Sequence, residues 1–287
     1  MSDSGWPSVS VVIPMLNAEK TIGDQLEALA AQSYPGEWDV IVADNGSIDA
    51  SVDRASVWAD RIGSLRVVDA SAERNIAFAR NLGVDLASGR VILMCDADDA
   101  VGDGWITALV EGLRDFDMVR GVQEYTKLNS PVVREWYRPA GLTRTGASKA
   151  DKVIITGGNF GTTKETYETL GGWLLDDAEF SARARAVGLT FGVASDAVLS
   201  VRRRSDLRSL AVWAFRRGQQ MPAAQRVDPD IAPSSVGVTR IAVKTVWWLI
   251  LHLPLALISR VARGRWVRLA AQGLGWVSGW VQQKRAD

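Results

Sequence analysis

The sequence predicts an α/β protein with a mostly parallel, twisted sheet flanked by helices, followed by an α-helical C-terminal extension. Short β-branched runs alternate with segments of helical periodicity from residue 8 to residue 99. Strands that alternate with helices predict parallel pairing with right-handed crossovers. Beyond about residue 241 the composition changes, because a long apolar run lies among basic residues. These observations separate a sheet-based catalytic or binding domain from a helical tail.

The elements are predicted in chain order from apolar periodicity and from the turn residues between them. Pro14 is expected to end the first strand, and Tyr34-Pro-Gly36 ends the first helix. Residues 126–151 are polar and rich in turn residues, so we expect a long irregular loop there. Strands are predicted at 8–13, 39–43, 65–69, 91–95 and 118–122, and helices at 22–30, 49–59, 76–87, 103–113 and 164–170.

Composition excludes several classes of function. The 287 residues include 33 basic and 33 acidic side chains, which argues against a nucleic-acid binder held by bulk charge. The single cysteine, Cys95, excludes an intrachain disulfide framework and a Cys/His zinc cluster. With His252 as the only histidine, Ser-His-Asp and Cys-His catalysis are disfavoured. Acid–base chemistry therefore falls to carboxylates.

An apolar run at 91–95 ends in a cluster of acidic residues at 96–99. Ligands of open α/β sheets bind beyond the carboxyl ends of strands, and neighbouring carboxylates repel one another unless a cation relieves them. Oxygen ligands suit Mg²⁺ or Mn²⁺, ions that often share their coordination with substrate phosphates. The alternative is a solvated acidic turn in which Asp99 or Asp103 caps the next helix.

Four segments in this order resemble the nucleotide-sugar half of the family-2 inverting glycosyltransferases, which have the GT-A fold. They are Ser-Val-Val-Ile-Pro-Met-Leu-Asn-Ala-Glu at 10–19, Val-Ala-Asp-Asn-Gly-Ser-Ile-Asp at 42–49, Ala-Arg-Asn-Leu-Gly at 79–83 and Asp-Ala-Asp-Asp at 96–99. The resemblance implies a nucleotide-diphosphate sugar as donor. It assigns nucleotide binding to Pro14, Asn17, Asp44, Asn45 and Arg80.

The resemblance also implies a divalent metal, Mn²⁺ or Mg²⁺, held by Asp96 and Asp98, with Asp96 and Ala97 beside the nucleotide. Many relatives complete this site with a histidine after a later strand, but Val198-Leu-Ser-Val-Arg-Arg-Arg204 contains none. The metal is then held by Asp98 and phosphate alone, or water completes its coordination, or metal dependence is weaker. The basic run 202–204 is either a second neutraliser of the diphosphate or a solvated surface run.

The second half of the family pattern matches at Gly171, Gly172, Trp173, Asp176, Asp177, Glu179, Arg183 and Gly188. The second acid of the pair is the family's catalytic base, which here is Asp177. The family more often has Glu where this chain has Asp176. We expect Asp176 and partial burial to raise the pKa of Asp177. Acceptor binding is assigned to Asn159, Trp173 and Asp176, while the alternative for the acids is favourable charge at a helix N-terminus.

The predicted organisation is a glycosyltransferase domain at 1–204, with a nucleotide-sugar half at 8–122 and an acceptor half at 123–204, and a helical extension at 205–287. The run 246–258 is apolar, contains Pro254 and is shorter than the roughly 20 residues of a spanning helix. With its flanking arginines it is typical of an interfacial segment, and we expect membrane contact through 241–282. The alternative is packing on the catalytic domain or on a second subunit of a homodimer.

These observations predict an inverting glycosyltransferase that acts on a glycan or lipid-linked acceptor. No signal peptide precedes residue 8, so a cytoplasmic location is expected, peripheral on the inner face of the plasma membrane. One alternative is a non-catalytic nucleotide-sugar or glycan binding protein at a membrane. Another is a sugar-phosphate nucleotidyltransferase, although Pro14-Met-Leu-Asn17 is not the Gly-rich basic loop of that class. No Gly-x-Gly-x-x-Gly turn follows a strand, which disfavours a Rossmann dehydrogenase.

Overall fold

The computed structural model describes residues 5–62, 64–138, 155–227 and 235–286. They form two compact units. The first lies within Met1–Glu124 and Lys152–Val201, and the second lies within Tyr125–Asp151 and Arg202–Asp287. The predicted α/β class with a helical C-terminal region is confirmed.

An eight-stranded sheet organises the first unit, in the order β3-β2-β1-β4-β7-β6-β8-β5. β1, β2, β3 and β4 pair in parallel, so their carboxyl ends share one edge, and β7 is antiparallel to both of its neighbours. The strands are β1 (Val9–Met15), β2 (Trp38–Asp44), β3 (Leu65–Asp69), β4 (Val91–Cys95), β5 (Ala100–Val101), β6 (Met118–Glu124), β7 (Asn159–Thr163) and β8 (Phe191–Ser200).

Helices cover both faces of this sheet. One apolar cluster joins the sheet to α1 and α4, and a second joins it to α3, α6 and α7. The helices of the chain are α1 (Ile22–Ala30), α2 (Ser51–Ser56), α3 (Ile76–Asp85), α4 (Trp105–Gly112), α5 (Pro131–Tyr137), α6 (Lys164–Thr169), α7 (Asp177–Ala186), α8 (Leu207–Val227), α9 (Ser235–Ile258) and α10 (Arg260–Ala286).

The first strand extends further than predicted, because Pro14 lies inside it and is paired with Ala43 of β2. The Met15 carbonyl accepts a hydrogen bond from the Asn45 amide on the β2 side. Because successive residues of a strand point in opposite directions, the backbone nitrogen of Pro14 points to the β4 side. Pairing with β4 ends at Val12. A missing N–H at Pro14 therefore breaks no ladder bond.

The prediction of an irregular segment at 126–151 is wrong at Pro131–Tyr137, where the chain is helical. α5 forms there because Ser130 caps it, accepting a hydrogen bond from the Val133 amide, and Pro131 occupies the first turn. Residues 139–151 of the predicted loop lie outside the described residues.

α8, α9 and α10 make up most of the second unit, and α10 packs closely on α8. Glycines allow this approach: a Cβ at Gly275 would lie 2.0 Å from the Phe215 carbonyl oxygen. Among the described residues, no helix is both long enough and apolar enough to cross a bilayer.

Candidate active site

The carboxyl ends of β1 and β2 bring together the first residues assigned to the nucleotide. Asp44, the last residue of β2, is 8% exposed, and both of its carboxylate oxygens accept from the Ser47 amide, the shorter bond being 3.2 Å. Asn17 adopts a φ of +51°, and its side-chain oxygen accepts from the Ile48 amide at 2.9 Å. Pro14 is buried just before this loop. The loops after β1 and β2 are thus fastened to each other.

Asn45 fastens a third loop to the same edge. Its Nδ2 donates to the carbonyls of Ala70 and Glu73 at 2.6 and 2.7 Å, just beyond the end of β3. Because both amide hydrogens are used, the side chain holds the loops in position and has only its oxygen left for a ligand.

Three carboxylates converge after β4. One oxygen from each of Asp96, Asp98 and Asp99 lies within 4.8 Å of the others. Asp96 and Asp98 are partly exposed, whereas Asp99 is 4% exposed and was not among the predicted ligands. Ala97 between them is buried in the core. An all-oxygen, anionic donor set of this kind fits Mg²⁺ or Mn²⁺.

Arg80 on α3 lies behind the carboxylates and is 5% exposed. Its Nη2 lies 3.5 Å from Oδ1 of Asp96 and its Nη1 lies 3.8 Å from Oδ1 of Asp177. The guanidinium also stacks over the Trp173 ring, 4.6 Å from its centroid. One buried cation therefore links a carboxylate of the predicted metal site to the predicted base.

Asp177 is the first residue of α7, and its side chain is 42% exposed. Oδ1 accepts a hydrogen bond from the Gly157 amide at 3.2 Å. Burial raises the pKa of the Asp177 carboxyl, while Arg80 and the Gly157 hydrogen bond oppose the rise. Asp96 and Asp176 add smaller upward effects, and the net shift is upward. A partly exposed carboxylate with a raised pKa has the properties of a general base.

The Gly157-Gly158 pair leaves the room that this arrangement needs. A Cβ at Gly157 would lie 2.2 Å from Cζ of Arg80, and one at Gly158 would lie 2.4 Å from Oδ2 of Asp96. Sequence reasoning missed these glycines, since a Gly-Gly pair before a strand reads as an ordinary turn. Their absent side chains let the backbone touch both charged groups.

Asp176 caps α7, because its carboxylate accepts from the Glu179 amide at 2.9 Å. The alternative role for the acidic pair was favourable charge at a helix N-terminus. The capping hydrogen bond supports that role for Asp176. Arg183 fastens the same helix to the preceding turn by donating to the Gly172 carbonyl at 2.7 Å. The two acids therefore differ in position: Asp176 caps the helix, and Asp177 lies beside Arg80.

Trp173 and Asn159, the side chains predicted to bind the acceptor, are both buried. Trp173 is 1% exposed, and its ring stacks on Phe180 with centroids 4.1 Å apart. Asn159 is fully buried and accepts from the Trp105 indole at 2.8 Å. Both side chains therefore support their neighbours from inside the core, and their assignment to acceptor binding stays a prediction.

Comparison with protein families identifies the family of this chain. Residues 10–171 match the model of glycosyl transferase family 2, and this span includes the loops after β1, β2 and β4. The chain belongs to glycosyl transferase family 2. Its fold is that of the GT-A glycosyltransferases. The match favours a transferase over the nucleotidyltransferase and the non-catalytic binding protein.

Named relatives agree with this family. The chain is 24% identical over 259 residues to glycosyltransferase AglE from Haloferax volcanii, covering 88% of this chain and 83% of that one. It is 33% identical over 124 residues to dodecaprenyl-phosphate galacturonate synthase from Rhizobium johnstonii. That match covers 42% of this chain and only 37% of the relative.

Two solved structures share the fold. Mannosyltransferase PcManGT from Pyrobaculum calidifontis, in complex with GDP-Man and Mn²⁺, superposes with a TM-score of 0.68 at 19% identity. The superposition covers 96% of this chain and 88% of that one. S. aureus TarS 1-349 in complex with UDP-GlcNAc gives a TM-score of 0.55 at 14% identity, covering 96% and 92%.

The sequence analysis assigned no role to one residue that stabilises the fold of this glycosyltransferase. Asn81, next to Arg80 in the Ala-Arg-Asn-Leu-Gly segment, donates to the Trp173 carbonyl at 2.9 Å. Its oxygen accepts from the Trp173 amide at 2.8 Å and from the Tyr167 hydroxyl at 2.7 Å. α3 is thereby joined to the turn that leads into α7. The only sequence signal for Asn81 is its position in one of the four segments that resemble the family, and that resemblance assigns it no role.

Proposed function

We propose that this glycosyltransferase moves a sugar from a nucleotide-diphosphate sugar to an acceptor hydroxyl with inversion at the anomeric carbon. The reaction serves the synthesis of a polysaccharide, glycolipid or other glycoconjugate. The observation that carries the proposal is the position of Arg80 between Asp96 and Asp177. The Arg80 guanidinium lies beside both carboxylates. Asp96 is suited to binding the donor's metal, and Asp177 is suited to base catalysis.

The donor side is supported by the edge of the sheet. Asp44 with the loops after β1 and β2 is the proposed nucleoside site, and Asp96 and Asp98 are the proposed metal ligands. PcManGT in complex with GDP-Man and Mn²⁺ and TarS 1-349 in complex with UDP-GlcNAc share this fold. A divalent ion, when bound, would stabilise negative charge on the leaving diphosphate. Within the proposed transferase domain, residues 8–122 hold the donor and 123–204 hold the acceptor.

The transfer step is a single displacement. The acceptor oxygen forms a bond to the anomeric carbon while the bond from that carbon to the diphosphate oxygen breaks, and the leaving oxygen keeps the electron pair. The acceptor's proton passes to the Asp177 carboxylate. Arg80 holds that carboxylate in place through the charge pair, and the Gly157 amide leaves its second oxygen available. Attack from the face opposite the leaving group gives the inverted product.

The direct test of this assignment is Asp177→Asn, which keeps an oxygen for the Gly157 amide while removing the base. Turnover is measured as nucleoside diphosphate release from a panel of nucleotide sugars with saturating acceptor. We expect kcat to fall by roughly 10² to 10⁴ while donor binding persists. Asp85→Asn, at an exposed carboxylate on α3, is the matched control. Full turnover by Asp177→Asn would refute the role of the base.

We also propose that α9 rests on the inner surface of the plasma membrane, within the contact segment 241–282. Its apolar side chains are exposed, including Trp247 at 60%, Leu251 at 68% and Ile258 at 81%. Residues 231–286 contain eight basic side chains and no acidic one, which complements anionic lipid. An exposed apolar helix with tryptophan and a basic surround is typical of interfacial binding.

A further inference from the structure

A cavity of about 670 Å³ opens between α1 and α2 in the first unit, and the proposed transfer chemistry uses none of its lining residues. The two helices begin side by side, because the Ala18 amide donates to the Ser51 hydroxyl at 2.7 Å and the Glu19 amide donates to Asp49 at 3.3 Å. The cavity has the volume of a site for a small organic molecule. Its lining residues are Glu19, Lys20, Gly23, Arg54, Val57, Trp58 and Arg61.

The charge of this lining is positive. Lys20, Arg54 and Arg61 are exposed, and none of them forms an ion pair within the described parts of the chain. Glu19 is the one acid among the described lining residues, and its carboxylate accepts a hydrogen bond from the Ala50 amide at 3.4 Å. Cations that face one cavity repel one another unless an anion lies between them. Three cations against one acid favour a ligand with at least two negative charges.

The same cavity has an apolar part and open space. Trp58 is half-buried and packs against the core, and the Arg61 guanidinium lies 5.1 Å from the centroid of its ring. Val57 is 69% exposed. Gly23 leaves room on the α1 side, because a Cβ there would meet no atom within 4 Å. An inorganic ion fills little of this space, whereas an organic molecule can also contact Val57 and Trp58.

We propose that this cavity binds a small organic bisphosphate, with its phosphates on Lys20, Arg54 and Arg61 and its carbon skeleton on Val57 and Trp58. The planar fork of an arginine matches two phosphate oxygens, and a lysine adds a compact point charge. Phosphate suits the site better than carboxylate, because each phosphate carries more charge and more acceptor oxygens. The lining includes none of the residues assigned to the nucleotide or the metal, so the site goes beyond the proposed function.

The test is calorimetric titration of the full chain with fructose bisphosphate in the presence of EDTA. EDTA removes divalent ions, so the proposed metal-dependent donor site does not contribute. We expect the bisphosphate to bind at least about tenfold more tightly than inorganic phosphate or citrate, and to raise the melting temperature. Inorganic phosphate tests an ion alone, and citrate tests carboxylates. Equal binding of either one, or no binding of the bisphosphate, would overturn the proposal.

Substitutions of Arg54 test the role of the cations. Arg54→Gln should weaken binding of the bisphosphate by about tenfold or more, because it removes a charged hydrogen-bond donor. Arg54→Lys keeps the charge but loses the fork, so its affinity should lie between those of Arg54→Gln and the wild type. Arg90→Gln removes an equal charge from an exposed position outside the cavity and should bind like the wild type. Equal affinity of Arg54→Gln and the wild type would contradict the assignment.

Gly23→Leu tests the cavity itself, because it keeps every charge and places a side chain in the open space beside α1. Leucine favours a helix over glycine, so the variant should fold, and thermal melting without ligand checks this. Its affinity for the bisphosphate should fall by about tenfold or more. Asp98→Ala should bind the bisphosphate like the wild type. Undiminished binding by Gly23→Leu, or loss of binding in Asp98→Ala, would place the ligand elsewhere and overturn the proposal.

Discussion

Replacing Asn81 by alanine removes the polar connection between α3 and the turn before α7. The wild-type side chain makes three hydrogen bonds, to the backbone amide and carbonyl of Trp173 and to the Tyr167 hydroxyl. Tyr167 is 2% exposed and Trp173 is 1% exposed, so water does not readily replace the lost partner. The substitution therefore leaves buried polar groups without partners.

The magnitude follows from the number of bonds. At about 1 kcal/mol for each of three hydrogen bonds, Asn81→Ala should lower the free energy of unfolding of the first unit by about 3 kcal/mol. That corresponds to a change of about a hundredfold in the ratio of folded to unfolded molecules. Because Trp173 carries Arg80 on its ring face, turnover should fall as well.

Urea unfolding gives the loss of stability, and hydrogen exchange of the peptide that covers residues 170–186 shows whether the loss is local. Asp85→Ala is the control, because it lies at an exposed position of the same helix and should change stability by no more than about 0.5 kcal/mol. A loss below about 1 kcal/mol for Asn81→Ala, or unchanged exchange in that peptide, would refute the role assigned to Asn81.

Three further outcomes are expected. Gly157→Ala should abolish turnover, because its Cβ would lie 2.2 Å from a guanidinium carbon, whereas Gly23→Ala, with open space around it in α1, should leave kcat unchanged and raise stability by about 1 kcal/mol. Burial raises the pKa of Cys95, so the native protein should resist alkylation at pH 8 or so and react once unfolded in urea. Hydrogen bonds from Thr190 lower the pKa of Asp117 in the folded protein. Asp117→Asn should therefore lower the melting temperature at neutral pH, and the difference should vanish as the pH falls through the folded-state pKa, since protonation removes the wild type's advantage.

The sequence predicts β1 to β4 and β6 because their signals are local, whereas β5 and β7 are not among the predicted strands. β-Branched runs mark β1 to β4, and the acids after β4 stand where parallel strands end together. The boundary of β1 was wrong because the effect of Pro14 depends on where the pairing with β4 stops. That information lies in the register of another strand, so the local pattern around Pro14 does not contain it.

The site was predicted in part. The motifs select Asp96, Asp98 and Asp177 as candidates, but they do not show that a buried Arg80 joins two of them, since a helical arginine usually lies in solvent. From the sequence alone, Trp173 fits a binding surface as well as it fits the core. In the structure its ring stacks on Phe180 and belongs to the core. Such choices depend on contacts between residues far apart in the chain.

The central claim is a metal-dependent nucleotide site at the end of β4. Calorimetric titration with UDP, GDP and dTDP, with and without Mn²⁺, tests it most directly in the wild type and in Asp98→Ala. We expect one nucleotide to bind only with Mn²⁺, and that binding to be lost in the variant while its melting temperature is unchanged. Absence of nucleotide binding under every condition, or equal binding by Asp98→Ala, would contradict the claim.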